Sequence, residues 1–347
     1  MNSDLTSFIG NIPYFIMAVL AFSLLIIIHE LGHFMLAKLN GVKVSEFSLG
    51  MGPKLFGIKG KETEYLIKAF PIGGYVKMEG ENEESNDPRS FTSKSPYQKL
   101  SIVSAGAIMN LILAVVLFSI VGASIGKILP IIGEVTPNGA AMKAGMQVGD
   151  KITKVNKVSI DKWDQFINEI YVSKGGNINV EIVRDSKVKT FSLKPIKNVK
   201  ENRFMIGIGG TPEKMNFGES VGYGFNQTIN SGKQIFVFFG SLFHGQVSGS
   251  DVGGPISILR ISTMAAQAGI INLMMLTAML SVQLGIFNII PFPALDGGWI
   301  FILLFEIITG KKLDDKKVGV VNYIGFMFLM AFMVFIVIKD IVSPMKF

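Results

Sequence analysis

The run His29-Glu30-Leu31-Gly32-His33 closes an apolar stretch, 15–28, and leads straight into Phe34-Met35-Leu36-Ala37. It therefore reads as part of one membrane-length helix, and that reading decides the class of fold. Histidines four residues apart lie one turn above each other on a single helix face. Their imidazoles can hold one divalent ion, while Glu30 on the adjoining flank reaches a water beside it. This is the H-E-x-x-H arrangement of zinc hydrolases. The competing reading makes the three residues core histidines and a buried acid. Ionisable groups are costly in lipid and are rarely kept there without a task, so the functional reading prevails.

Composition agrees with a membrane setting. Of 347 residues, 49% are hydrophobic and only 17% charged, more apolar and less charged than a soluble domain of this length. The net charge of +7 is spread along loops without a basic stripe carrying interleaved aromatics, which excludes a nucleic-acid partner. With no cysteine, disulfides and thiolate metal ligands are excluded too. The N-terminus lacks a basic region and a small-residue cleavage site ahead of its apolar run, so the first span is expected to be retained.

The expected fold is a multispanning α-helical membrane protein of about four transmembrane helices, with a membrane-associated β-hairpin and an inserted α+β domain. An N-terminal membrane core, 1–126, holds span one at 12–39 and span two at 100–126. Asn40-Gly41 stops the first span. Residues 64–79 read as two short strands joined around Phe70-Pro71-Ile72-Gly73-Gly74, followed by an acidic stretch, 79–87. Asn110 sits inside the apolar field of span two, where a lone Asn is more often a helix–helix hydrogen bond than a substrate contact.

From 127 to 198 the pattern changes to strands at 131–135, 151–155, 179–184 and 190–193 around a helix at 163–171. Gly133-Glu134-Val135-Thr136-Pro137, Ala141-Met142-Lys143-Ala144-Gly145-Met146 and Gly149-Asp150-Lys151-Ile152 resemble a PDZ domain of the permuted bacterial kind, a module that binds peptides by strand addition. A linker, 199–268, includes an amphipathic helix at 216–243, expected to lie on the membrane surface through Val221, Phe225, Ile229, Phe236 and Phe239. His244 beside it is read as solvated. The C-terminal core, 269–347, holds span three at 269–290, a short apolar helix at 298–309 and span four at 318–338. Lysine and arginine crowd the loops 40–99 and 310–317, which places those loops in the cytoplasm, both termini and the 127–198 domain outside, and the histidine motif near the cytoplasmic side.

A catalytic zinc needs a third protein ligand and an open position. The metzincin extension fails, because its glycine and histidine would fall at Leu36 and Leu39. Glu46 could serve as a downstream glutamate, although a loop carboxylate needs no metal to explain it. Asp296 differs. It lies in Asn288-Ile289-Ile290-Pro291-Phe292-Pro293-Ala294-Leu295-Asp296-Gly297-Gly298, whose prolines and glycines open the helix at membrane depth, and a carboxylate there calls for a cation.

HELGH in span one, N-x-x-P-x-P-x-L-D-G-G after span three and a PDZ segment between spans two and three together resemble the site-2 protease family, specifically the bacterial RseP-type intramembrane zinc metalloproteases with one PDZ domain. The resemblance covers nearly the whole chain. It implies Zn²⁺ held by His29, His33 and Asp296, with Glu30 as general base and Asn288 helping to hold substrate. It further implies that the 64–79 hairpin, through Gly73, Gly74 and Tyr75, pairs with an unwound substrate, and that Asn110 occupies the family's polar position in span two. Ala107 stands where many relatives carry proline. The implied substrates are single-span membrane proteins, such as trimmed anti-sigma factors or remnant signal peptides. The PDZ domain is expected to admit only trimmed substrates, as a size filter, or else to capture their ends. Two other classes compete: a transporter or proton or metal path using the same residues, which would predict repeated halves not found here, and a catalytically dead PDZ scaffold, which would tolerate loss of Glu30.

Overall fold

A computed structural model describes residues 2–81, 85–198, 203–245 and 253–342. The chain forms two units, Met1–Val121 with Ser220–Phe347, and Gly122–Glu219.

Among the described residues, four helices are long and apolar enough to cross a bilayer: Gly10–Leu39, Pro96–Ile125, Ile270–Ile289 and Lys316–Val342. They belong to α1 (Asn2–Leu39), α2 (Pro96–Ile125), α7 (Ile270–Ile289) and α9 (Asp315–Val342). At 1.5 Å per residue even the shortest reaches about 30 Å, the thickness of the hydrocarbon core. Asn40 and Gly41 end α1 as expected. Gly41 takes φ +68°, and Asn40 closes the last turn by donating to the Leu36 carbonyl both from its backbone N–H at 3.0 Å and from its side-chain amide at 2.8 Å. The helix α8 (Asp296–Thr309) is apolar but only 14 residues long, about 21 Å, too short to cross.

Between α1 and α2 the chain forms β1 (Val44–Lys59) and β2 (Glu64–Met78). Here the structure corrects the expected hairpin: 64–78 is one bent strand, and its partner is 44–59 rather than its own second half. Residues 46–49 are flanked on one side by 74–77 and on the other by 64–67, while 54–59 continue the sheet beyond 64–68. Strand pairing is a long-range choice, and the bends that permit it fall at Gly50, Gly52 and Gly73, all with positive φ that glycine adopts without strain. Val42, Val44, Val76 and Met78 bury against Ala37, Ile102, Val103 and Leu303, so the sheet is wedged among α1, α2 and α8. Of the acidic stretch 79–87, residues 82–84 lie outside the described residues.

Helix α5 (Phe217–Phe243) packs through Ile235 and Phe239 onto Ala114, Leu117 and Phe118 of α2 and onto Ala278 and Val282 of α7. Of the apolar face read from the sequence, Phe239 packs on the protein, whereas Phe225, Ile229 and Phe236 are exposed. Helix α6 (Pro255–Gln267) follows, its first turn capped by the buried Asp340 carboxylate of α9, which accepts from Gly254 N, Ser257 N and Ser257 Oγ at 2.9–3.0 Å.

The second unit holds the segment expected to be a PDZ domain. It comprises β3 (Lys127–Val135), α3 (Ala140–Ala144), β4 (Lys151–Val155), β5 (Val158–Ser159), α4 (Trp163–Val172), β6 (Ile178–Arg184), β7 (Lys187–Leu193), β8 (Ile196–Asn198), β9 (Arg203–Met205) and β10 (Ile208–Glu213). The main sheet runs β10-β3-β4-β6-β7, with β5 paired to β4. Ile132, Ile152, Val180 and Ile182 alternate inward onto Phe166 and Ile170 of α4. Asp150, almost fully buried, is held by a two-pronged pair with Arg184 at 2.6 and 2.7 Å. The unit extends past residue 198, because β10 pairs along β3; the stretch expected as linker therefore supplies a strand. Residues 199–202 and 246–252 of that expected linker lie outside the described residues.

Candidate active site

His29 and His33 project from α1 with ring centroids 4.8 Å apart, as their spacing of four requires. What brings α2 up to them is the absence of side chains at the crossing. A Cβ on Gly32 would lie 2.7 Å from the Ala105 carbonyl carbon and 2.9 Å from Gly106 N. One on Gly106 would lie 2.7 Å from His29 Cε1 and closer still to His33 Nε2. Small residues thus let two backbones pass flush beneath the imidazoles. From this position α2 contacts both rings: His33 Nδ1–H donates to the Ile102 carbonyl at 2.9 Å, and the Asn110 amide lies 3.2 Å from His29 Nδ1.

Asp296 arrives from the other side on the first turn of α8, where a helix N-terminus favours a carboxylate. The chain between α7 and α8 turns tightly through Pro291 and Pro293, with Ala294 at φ +71°. Gly297 and Gly298 are required by the same turn. A Cβ on Gly297 would meet the Ile290 carbonyl carbon at 2.5 Å, and one on Gly298 the Phe292 oxygen at 2.7 Å.

His29 Nε2, His33 Nε2 and Asp296 Oδ2 converge, with separations of 3.1 Å between the two nitrogens and 3.1 and 3.3 Å from them to the oxygen. With the His33 proton committed to Ile102 on Nδ1, its Nε2 offers a lone pair. Asp296 Oδ2 is buried without a hydrogen-bond partner among the described residues. A tetrahedral zinc with bonds near 2.0–2.1 Å sets its ligand atoms about 3.3 Å apart, so the three atoms fit that ion. They form the one His/Asp/Glu cluster of metal-binding geometry among the described residues.

Glu30 lines the same cavity of about 250 Å³, together with Tyr75, Met78, Glu81, Trp299 and the three ligand candidates. Strand β2 passes directly beside it: a Cβ on Gly74 would lie 3.1 Å from Glu30 Cγ and 3.4 Å from Ile26 Cγ2. The side of 74–77 turned away from 46–49 has no strand partner among the described residues. Tyr75 Oη donates to Glu46 at 2.5 Å and accepts from Lys68 Nζ at 2.8 Å. That hydrogen bond holds the Glu46 carboxyl below its ordinary range and occupies it away from the metal cluster. Glu306 lines an adjoining cavity of about 580 Å³, which shares Glu81, Phe91 and Trp299 with the first. Glu81 is exposed and lines the cavity beside Glu30, and desolvation by the surrounding protein pushes its carboxyl up to about 7.

The structure therefore brings together His29, Glu30, His33, Asp296, Gly74 and Tyr75. Gly73 supplies the positive-φ bend ahead of them, packed on the Met51 side chain. Asn110 lies behind His29, fully buried, and does not line the cavity. Asn288 is half-buried near the end of α7 and is also outside the cavity lining. His244 is exposed, bonded to the Gly240 carbonyl of its own helix at 2.7 Å. Sequence reasoning passed over Gly106, the Ile102 carbonyl, Glu81 and Trp299. The small-residue run Ser104-Ala105-Gly106-Ala107 inside an apolar span was the available signal for the first of these.

Comparison with known proteins covers most of the chain. The family model described as peptidase family M50 matches residues 17–332. A Clostridium acetobutylicum protein named as a candidate zinc metalloprotease is 48% identical over 333 residues, covering 96% of this chain and 98% of its own. The zinc metalloprotease RasP of Bacillus licheniformis is 30% identical over 408 residues, covering 93% of this chain and 97% of its own. The regulator of sigma-W protease RasP of Bacillus subtilis is 29% identical over 408 residues with the same coverage.

Proposed function

The chain belongs to peptidase family M50, the site-2 proteases, and from that premise we propose that it hydrolyses peptide bonds within or beside the transmembrane helix of single-span membrane proteins. It is a multipass membrane protein and a zinc metalloprotease. One observation carries the substrate reading: the open side of residues 74–77 runs beside Glu30, the acid next to the three converging ligand atoms.

His29, His33 and Asp296 would hold the zinc. When bound, the ion supplies Lewis acidity, lowering the pKa of water toward about 7 and polarising the scissile carbonyl. Glu30 takes the proton from the attacking water and returns it to the leaving amine. The His33 bond to Ile102 keeps that ring from turning during the transfer. A substrate helix hides its carbonyls in its own hydrogen bonds, so it must unwind before attack. The side of 74–77 that lacks a strand partner offers backbone groups to replace those bonds by strand addition. Asn288 and Tyr75 are assigned to holding the unwound segment, which fits Tyr75 on the cavity wall.

The lysine-rich loops 40–99 and 310–317 support a site near the cytoplasmic side, and the relatives named RasP support substrates of the anti-sigma type. The PDZ domain is read as limiting entry of untrimmed substrates rather than capturing trimmed ends. Supporting this, α4 packs close on the edge strand β10, where a Cβ on Gly210 would collide with Ile128 of β3 and stand 2.8 Å from the Trp163 ring. Excision of residues 130–195 should then permit cleavage of an untrimmed single-span substrate and leave the trimmed one unaffected. The reverse pattern would show capture. The central test is cleavage of a model single-span substrate by purified protein containing one zinc per chain. Zinc-loaded protein without turnover would refute the proposed reaction.

A further inference from the structure

Two buried side-chain atoms lack a hydrogen-bond partner among the described residues, Asp296 Oδ2 and Asn110 Oδ1. They belong to residues at opposite ends of one ring. Asp296 Oδ2 is 3.1 Å from His29 Nε2, and Asn110 Nδ2 is placed 3.2 Å from His29 Nδ1. We infer that Asn110 is a positioning residue of the metal site, whose side-chain oxygen accepts the Nδ1 proton of His29 and so turns the Nε2 lone pair toward the ion. The inference rests on the metalloprotease reading of the cluster.

The argument is one of proton accounting. A neutral imidazole carries one proton, and a nitrogen that ligates a metal cannot hold it. If His29 ligates through Nε2, the proton resides on Nδ1 and needs an acceptor. The two ends of an amide are assigned by their surroundings, so the end facing Nδ1 in the metal-bound state is the oxygen. Exchanging the ends gives Oδ1 the donor it lacks, just as the ion gives Asp296 Oδ2 a partner. His33 shows the same device in a different form, its Nδ1–H donating to the Ile102 carbonyl at 2.9 Å. Helix α2 would thus set both rings from behind, by backbone at residue 102 and by side chain at residue 110. Asn110 is completely buried, and Ser281 Oγ of α7 donates to its backbone carbonyl at 2.7 Å, leaving its side-chain amide to the ring. This assigns Asn110 to the ring rather than to substrate.

The test compares full-length variants purified in detergent by zinc competition against a chelator, alongside the visible spectrum of the cobalt-loaded protein and the apparent melting temperature without metal. Asn110→Leu, of similar shape but with no acceptor, should weaken zinc binding about 10- to 100-fold, whereas Asn110→Asp, an acceptor without a donor, should stay within about threefold of wild type. Ser281→Ala removes the interhelical bond at the same residue and should leave zinc affinity unchanged. If Asn110→Leu does not fold, Asn110→Ala takes its place. Wild-type affinity in the acceptor-less variant overturns the inference, as does equal weakening in Asn110→Asp or in Ser281→Ala. A raised KM with unchanged zinc affinity would return Asn110 to the substrate. Failure of the wild-type protein to bind zinc stoichiometrically would sink the metalloprotease reading instead.

Discussion

Gly106 of α2 faces His33 of α1 so closely that no side chain fits between them, and a Cβ there would also stand 2.8 Å from His29 Nε2. The metal site therefore depends on a residue that contributes no atom to it. Gly106→Ala should push the helices apart or turn the rings. Overpacking of this kind costs ~1–3 kcal/mol, or about 5- to 150-fold in an equilibrium constant, and much of it should fall on zinc affinity. Metal analysis after dialysis against a chelator checks this, and undiminished zinc in the variant would show that the crossing has slack.

Glu30→Gln keeps the shape of the side chain and removes the base. Zinc content should be unchanged, while turnover of a single-span substrate falls by about 10²–10⁴. Turnover within tenfold of wild type would remove Glu30 from the proton-transfer role.

Asp296→Ala should lower zinc occupancy, and Glu46→Ala and Glu306→Ala should not. The first loses one of three convergent ligand atoms, whereas Glu46 is bonded to Tyr75 and Glu306 lines the other cavity. Zinc counted per chain in the three variants decides the matter. A fall confined to a glutamate variant would overturn the third-ligand assignment.

If the open side of 74–77 receives unwound substrate, proline placed there should slow cleavage by deleting a backbone donor while leaving the fold intact. A scan through Tyr75, Val76 and Lys77 provides the test, with melting temperature as the control for folding. Unchanged rates at all three positions would contradict strand addition.

Burial raises the Glu81 carboxyl from 4.5 to about 7, so the folded protein binds that proton more tightly than the unfolded chain does. Its contribution favours the folded state fully below pH 4.5 and is lost as pH climbs through 7. Wild type should lose apparent melting temperature between about pH 5 and 8, and Glu81→Gln, which cannot titrate, should flatten that decline. Parallel curves for the two proteins would mean that Glu81 titrates normally.

Some of this was legible in the chain itself, because the relevant signals are local. Helical periodicity puts His29 and His33 on one face wherever the helix goes, and the apolar run around them leaves only the bilayer as its solvent. The proline and glycine pattern around Asp296 likewise announces an opened helix, and the structure shows why each glycine is needed. Pairing and approach are different in kind. Which strand lies beside Glu30 depends on a partner, 44–49, some 30 residues away and on bends at three glycines, and the sequence suggested a shorter hairpin instead. The Ile102 carbonyl and the Asn110 amide meet their imidazoles only because Gly32 and Gly106 let two backbones touch. A carbonyl has no letter in the sequence, and a glycine shows its purpose only when the atom that would collide with its missing side chain is in place. Helical period thus determined which side chains could form the metal site, and the close approach of α2 decided how those side chains are held.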